Sequence, residues 1–405
     1  MAVTRTRRAG HYKECLMEFL TSGLAHASAW GIVLYTLAAT HLTIIGVTVY
    51  LHRSQAHRSV TLHAAVAHVL RFWLWLTTGM VTREWVAVHR AHHAHCEQPK
   101  DPHSPVVLGI RKVLWQGAEL YRVSAADREL VRRYGAGTPD DWIERHLYSR
   151  FTWQGVGVLL VLDLLLFGVI GATVWAVQMM WIPVLAAGVI NGAGHYWGYR
   201  NFDCPEAATN LLPLGLLIGG EELHNNHHAY ASSAKMSVRW YEFDAGWMYI
   251  TLLRWLGLAV VRPLPVRPRA QPGKQEVDMH TLAVVLANRA RVMAELSGAL
   301  RRVWRQETAA LRRFDPALWR AARPLLRRDP GYLDGEQQHR LQALLAHSDV
   351  LRHVHELRSE LATLWRRSHA SPEQLLASLA AWCAKAEASA CEPLRRYAGR
   401  LRSYA

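Results

Sequence analysis

Residues 30–57 read WGIVLYTLAATHLTIIGVTVYLHRSQAH, and the class of fold follows from these residues. The run from Trp30 through Leu51 carries no formal charge and is long enough to cross the roughly 30 Å hydrocarbon layer as a helix. His52 and His57 follow directly, where the chain leaves the apolar run. The stretch therefore predicts a membrane-spanning helix that aims two imidazoles at one point just outside the lipid.

Further apolar runs predict more membrane helices. Residues 155–177 and 179–199 read as two spans joined by a tight turn, which makes them a hairpin with both ends on one side. Residues 63–80 are interrupted by histidine and arginine, so we expect them to lie in the membrane interface. Residues 16–29 form a weaker candidate, and a span there would bring the Arg-rich N-terminus to the cytoplasmic side; the residues leave this open.

Composition separates the chain into parts of different character. The 405 residues carry a formal net charge of +15, which fits a nucleic-acid binder or a protein that lies against anionic lipid, and the apolar runs favour lipid. We expect no nucleic-acid partner. The predicted domains are an N-terminal segment (1–27), a membrane domain (28–262), a Pro-rich linker (263–275) and a basic helical tail (276–405), in which Ser371 and Pro372 begin a helix.

Arginine and cysteine usage predict the location. Arg-rich loops near residues 83–112, 122–150 and 239–254 place all the histidine clusters on the cytoplasmic side. The five cysteines show no paired spacing, so no disulfides are expected. The preference for arginine over lysine is typical of a GC-rich bacterial genome. We therefore expect a multi-pass protein of a bacterial inner membrane, with its site facing the cytoplasm.

Two more histidine clusters have the spacing i, i+3, i+4. Residues 89–93 read HRAHH and residues 224–228 read HNNHH, so on a helix each set of three rings is expected on one face. Imidazole suits iron, copper, zinc and nickel, and eight imidazoles exceed what one ion accepts, so a two-metal centre is predicted. The candidate ligands at this point are His52, His57, His89, His92, His93, His224, His227 and His228.

With these boxes the chain resembles the membrane-bound fatty acyl desaturase family, in its Δ9 branch, over residues 30–258. The first box has four intervening residues, and the other two read His-X-X-His-His. The neighbouring DPHS at 101–104 and GGEE at 219–222 are also familiar in that family. The resemblance implies an all-α integral membrane fold with a cytoplasmic histidine-box diiron cap, followed here by a soluble C-terminal helical region.

The resemblance also implies the complete ligand set. In the family a ninth histidine comes from a transmembrane helix, and an asparagine four residues earlier reaches iron through water. His195 and Asn191 match these positions, and spacing i, i+4 is expected to place them on one helical face. Two iron ions are thus the implied cofactor, because the reaction needs redox chemistry that zinc does not perform.

The implied activity is the insertion of a cis double bond, at Δ9, into a long acyl chain with dioxygen and two external electrons. The sequence has no haem motif or cysteine cluster of its own, so ferredoxin, rubredoxin or a flavoprotein reductase is the expected electron donor. Animal relatives hold coenzyme A with Asn, Arg and Asp where this chain has Met80, Ala87 and Val88. The substrate is therefore expected to be a phospholipid acyl chain, with acyl-CoA still open.

Two other classes of function share these features. A histidine-box diiron hydroxylase would act on an apolar substrate through the same ligands, and its product would be an alcohol in place of an alkene. A metal-responsive membrane receptor would not consume oxygen. Asp163, inside an apolar run, has two readings: a structural hydrogen bond from its protonated form, or a role near the substrate path.

Overall fold

The computed structural model describes residues 13, 14, 16–265, 268–366 and 369–405, and these are predominantly helical. The chain forms two compact units that interleave along the sequence. The first consists of Met1–Gly198, Leu211–His224 and Ala231–Pro263, and the second of Tyr199–Asn210, Asn225–Tyr230 and Leu264–Ala405. The predicted all-α class is confirmed. The domain boundaries drawn from the sequence stay a prediction.

The first spanning helix begins at Ala29, where the Ser28 hydroxyl accepts a hydrogen bond from the Gly31 amide and caps the helix. It runs as an α-helix over Ala29–Ile45 and continues as a π-helix over Gly46–Ala56. The whole stretch Ala29–Ala56 is long and apolar enough to cross a membrane. The predicted helix is confirmed, and it extends past Leu51 to Ala56, so that His52 lies inside it.

The predicted hairpin exists, but its turn was placed about ten residues too late. The two arms are Thr152–Phe167 and Gly171–Trp181, the second continued by a π-helix over Ile182–Ala193. Gly168, at φ +65°, makes the reversal, and the backbone of Gly171 packs against that of Asp163. Glycine accommodates both the left-handed backbone and this contact, whereas the sequence runs apolar through the turn and gives no polar signal.

The segment before the first span contains a helix that ends at Ser22, and residues 23–26 form a turn. Gly23, at φ +59°, packs against the backbone of Leu166 and Gly168 at the hairpin turn. Residues 16–29 therefore do not form one continuous helix, and the weaker candidate span in this stretch was wrong.

The second histidine box lies on one arm of a bent helix pair. Ala64–Thr78 ends at Gly79, whose left-handed backbone (φ +63°) stops the helix. Thr82–His95 then departs at 87°. The helix over 64–78 confirms the apolar element predicted at residues 63–80, and its position in the interface stays a prediction. The remaining elements of the first unit are Val60–Leu62, Pro105–Leu108, Ile110–Ala126, Arg128–Tyr134, Glu144–Tyr148, Leu214–Gly215, Phe243–Asp244, Ala245–Trp255 and Ala259–Val261.

The described strands of the first unit are two or three residues long and form two separate pairs. Val60–Leu62 pairs antiparallel with Ala259–Val261, and Leu214–Gly215 pairs in parallel with Phe243–Asp244. The second pairing holds the loop before the third histidine box against Asp244, which is the ion-pair partner of Arg53.

The second unit has an apolar core of aliphatic and aromatic side chains from its own helices. Ser371 caps Pro372–Glu387 through a full capping box with Gln374, which confirms the predicted helix start. Val292, Leu296 and Leu300 are among the buried residues, as their helical spacing predicts. The helices and short 3₁₀ turns of the tail are Met279–Ala287, Arg289–Glu307, Ala309–Phe314, Pro316–Ala322, Arg323–Arg327, Pro330–Tyr332, Gly335–Leu345, Asp349–Thr363, Pro372–Glu387 and Glu392–Arg402.

Candidate metal centre

Four imidazoles of the first and second boxes converge in the first unit. His52, His57, His89 and His93 each offer a nitrogen, and these nitrogens lie within 4.8 Å of one another. The Nε2 atoms of His57 and His89 are 2.7 Å apart. Nitrogens on opposite sides of one transition-metal ion lie about 4 Å apart, so this cluster has the dimensions of a single-ion site.

A second cluster lies in the same unit. It joins His92 with His195 and His224, whose available nitrogens also lie within 4.8 Å of one another. The Nε2 atoms of His195 and His224 are 3.0 Å apart. Each of these two nitrogen clusters could hold one metal ion, and the two-metal centre stays a prediction.

The second box serves both clusters, contrary to the expectation of one shared face. His89 and His93, at i and i+4 on helix Thr82–His95, join the first cluster, whereas His92 joins the second. At 3.6 residues per turn, i+4 returns close to the direction of i, while i+3 falls short of a full turn. One helix can therefore contribute to two neighbouring metal sites.

The third box lies on the short helix His224–Ala229, so its helical spacing is as predicted. Its first histidine belongs to the first unit, and residues 225–230 belong to the second. His227 is buried, and His228 Nδ1 lies 3.3 Å from Glu206 Oε1 within the second unit.

The spacing of Asn191 and His195 predicted that they share one face of an α-helix. The structure does not show this arrangement. Asn191 lies in the π-helix Ile182–Ala193, and His195 lies in the turn that follows it. The wider π turn changes the direction of each side chain, and such segments are frequent at functional sites. The first box shows the same feature, because His52 lies in the π-helix Gly46–Ala56.

Buried carboxylates orient the imidazoles, a role that the spacing of the histidines did not predict. His52 Nδ1 donates to Glu221 Oε1 at 2.7 Å, and the Thr48 hydroxyl donates to the same oxygen at 2.5 Å. His92 Nδ1 donates to Asp101 Oδ1 at 2.9 Å. Carboxylate partners of this kind fix the tautomer, so that Nε2 is left to bind metal. Asp101 and Glu221 lie close to the second and third boxes in the sequence, and this closeness could have indicated their role.

Arg53 holds the loop that carries Glu221. Its guanidinium pairs with Asp244 Oδ1 at 2.8 Å and donates to the carbonyl oxygens of Ala234 and Gly219. Gly220 needs its left-handed backbone (φ +106°), and a side chain there would collide with Asp244 and Arg53. The arginine of the first box is thus a structural anchor.

Charge and burial make the donor set suitable for a cation. Burial and neighbouring imidazoles hold the pKa of His57, His93 and His224 well below the usual histidine range, and burial lowers the pKa of His103 to about 3. Burial alone would raise the pKa of Asp101, but His92 outweighs it and the pKa falls below its ordinary value. Neutral imidazoles beside ionised carboxylates fit a divalent metal ion.

The Asp101→Asn variant is expected to lower metal affinity and turnover by about 10- to 100-fold, because His92 loses its carboxylate partner. Metal content and product formation measure the effect. Asp127→Asn is the matched control, since Asp127 only caps a surface helix through the amides of Glu129 and Leu130. Equal losses in the two variants would contradict the positioning role.

A cavity of about 750 Å³ opens beside the clusters in the first unit. His52, His89 and His224 lie in its wall, together with Asn191. Most of the other lining side chains are apolar. The cavity has the size of a site for a long, flexible apolar molecule, with the histidine nitrogens at one part of its wall.

Apolar helices of membrane length, two histidine clusters that could hold metal ions and an adjoining, mainly apolar cavity are features of the membrane desaturase class. The fatty acid desaturase family model matches residues 28–255, more than half of the chain, and the chain belongs to that family.

The chain is also similar in sequence to individual desaturases. The chain is 32% identical over 225 residues to sn-1 stearoyl-lipid 9-desaturase of Anabaena variabilis. The aligned region covers 53% of this chain and 77% of that protein. It is 29% identical over 223 residues to Delta-9 acyl-lipid desaturase 2 of Arabidopsis thaliana, covering 55% and 71% of the two chains.

The tail matches a different family model, described as a transposase, over residues 279–405. This region is under a third of the chain, so the match does not define the protein, and the described part of the region is helical.

Proposed function

We propose that the protein is an oxygen-dependent diiron fatty-acyl desaturase that inserts a cis double bond, at Δ9, into a long acyl chain. The observation that carries the proposal is the pair of histidine clusters beside a cavity of about 750 Å³ whose lining is mainly apolar. The proposed ligands of one iron are His52, His57, His89 and His93, and those of the other include His92, His195 and His224. His227 and His228 are proposed as further ligands from their spacing to His224, and Asn191 as a ligand through water.

Two bound iron ions would supply the redox chemistry that activates dioxygen and removes two hydrogens from unactivated methylenes. The protein contributes position and exclusion of water. Glu221 and Asp101 hold the imidazoles of His52 and His92 in one orientation. The cavity wall holds an acyl chain so that one pair of carbons lies beside the clusters.

The two electrons are proposed to come from a separate ferredoxin, rubredoxin or flavoprotein reductase, because the sequence has no electron carrier of its own. We place the protein in a bacterial inner membrane as a multi-pass protein with its site on the cytoplasmic face. Its Arg-rich loops support this side. As divisions of the sequence, we propose residues 28–262 as the desaturase domain, flanked by 1–27, the linker 263–275 and the tail 276–405.

Lipid analysis tests the proposed activity directly. Cells that express the protein are expected to gain a monounsaturated acyl chain, and mass spectrometry of the extracted lipids locates the double bond and the lipid class. An alcohol product would support the histidine-box hydroxylase in place of the desaturase. A purified, metal-loaded protein that consumes no oxygen with a working reductant would exclude both enzymes.

Head-group choice is a separate prediction. Purified protein with an electron donor is expected to desaturate acyl chains in phospholipid at least as well as acyl-CoA, because Met80, Ala87 and Val88 offer no polar contact to coenzyme A. A side-by-side assay of both substrates measures this. Rapid turnover of acyl-CoA with untouched phospholipid would contradict it.

Restoring the missing polar residues is not a usable control for this prediction. Ala87 is fully buried, and Met80 and Val88 line the cavity. An arginine at position 87 would bring an uncompensated charge into the interior, so we expect Ala87→Arg to destabilise the protein.

A further inference from the structure

A small polar cluster lies inside the membrane-spanning helices. Asp163 is 0% exposed, and the Tyr35 hydroxyl donates to its Oδ1 at 2.9 Å. Gln178, on the returning arm of the hairpin, is 3% exposed and lies beside Tyr35. Polar groups at such positions are costly, so their presence points to a role. Asp163 thus accepts a structural hydrogen bond, whereas one of its two sequence readings had its protonated form donating the bond.

Gln178 is the member of this cluster that reaches the cavity. Its side chain lines the cavity wall and lies close to the Tyr35 hydroxyl, but within the described residues neither its Nε2 nor its Oε1 makes a hydrogen bond of ordinary geometry. The nearby indole donor is already used, since Trp175 Nε1 donates to the Val156 carbonyl at 3.1 Å. The primary amide of Gln178 therefore presents donors and an acceptor to the cavity.

The position of Gln178 separates it from the metal-binding end. It precedes Asn191, which lines the same cavity, by 13 residues along one helical stretch. The α-helical rise of 1.5 Å per residue gives an upper bound of roughly 20 Å, because the wider turns of the π-helix Ile182–Ala193 rise less per residue. Met179 and Ile182 make the neighbouring wall apolar. A chain whose reacting carbons lie beside the histidines would meet Gln178 well away from those carbons.

We propose that Gln178 forms a polar subsite for a hydroxyl group carried on the acyl chain, remote from the carbons that react. The inference rests on the proposed function in one respect, namely that the cavity holds the acyl substrate. A hydroxyl group both accepts and donates, which matches the two kinds of polar atom in the amide. The cavity then selects hydroxylated chains over plain chains of the same length.

Competition binding tests the subsite without metal or electron donor. A fluorescent fatty-acyl probe is displaced by a plain saturated chain and by a series of chains with one hydroxyl at successive carbons toward the methyl end. Wild-type protein is expected to bind one member of the series about tenfold more tightly than the plain chain. Gln178→Leu should remove this preference and keep affinity for the plain chain.

Met179→Leu is the matched control, because it changes a neighbouring lining residue without changing polarity, and it should keep the preference. If Gln178→Leu does not bind the probe at all, Gln178→Met replaces it in the same comparison. Equal binding of plain and hydroxylated chains by wild-type protein would overturn the proposal, and the amide would then only hold water or limit chain length. Desaturation of the plain chain tests the proposed function separately.

Discussion

The His92→Ala variant is expected to show no detectable desaturation and to lose metal. His92 is the member of the second box that joins His195 and His224, and its Nδ1 is held by Asp101. Its removal would leave the second cluster with fewer nitrogens and Asp101 with no imidazole to orient. An incomplete set of ligands loses or misplaces its ion.

Iron content per protein and the double-bond content of extracted lipids measure this effect together. His95→Ala is the matched control on the same helix, since His95 Nε2 contacts the Tyr134 hydroxyl at 2.8 Å and belongs to neither of the two clusters. Full activity and full iron content in a folded His92→Ala protein would remove His92 from the centre. The same expectation applies to the other box histidines.

Deletion of residues 274–405 is expected to reduce iron loading strongly, although every proposed ligand precedes the deletion. Residues 199–210 and 225–230 form one compact unit with the tail, and the second of these segments carries His227 and His228. Within that unit Arg358 pairs with Asp203 at 3.6 Å, and the Tyr230 hydroxyl contacts Asn288 Oδ1 at 3.4 Å. Truncation removes these partners and exposes the packed surfaces of both segments.

The Arg358→Met variant tests the contact between the tail and residues 199–210 without deleting the tail. Arg358→Met leaves the buried carboxylate of Asp203 without its charged partner, which costs about 3–5 kcal/mol in comparable buried pairs. We expect a lower melting temperature and lower iron content. Lys385→Ala, which breaks the exposed pair between Lys385 and Glu360, is the control and should change neither. A truncated protein that folds and keeps both irons would show that the tail is dispensable for the centre.

The sequence predicted the elements whose signal is local. An uncharged run of membrane length has few alternatives to a spanning helix, and residues 29–56 follow the prediction. Histidine spacing on a helix identified the metal-binding candidates, and Ser371 with Gln374 marked a helix start through a local capping box. The turn of the hairpin was misplaced because Gly168 acts through backbone conformation, and the surrounding run is apolar on both sides.

Composition and spacing within single helices specify the class of fold, the family and the candidate imidazoles, so these features follow from the sequence. The division of the imidazoles into two clusters depends on tertiary contacts, because the cluster that His89 or His92 joins is set by the imidazoles that other segments bring to it. The pairing of Glu221 with His52 and the packing of residues 225–230 with the tail depend on tertiary contacts as well. These contacts join residues distant in sequence, and local periodicity carries no information about them.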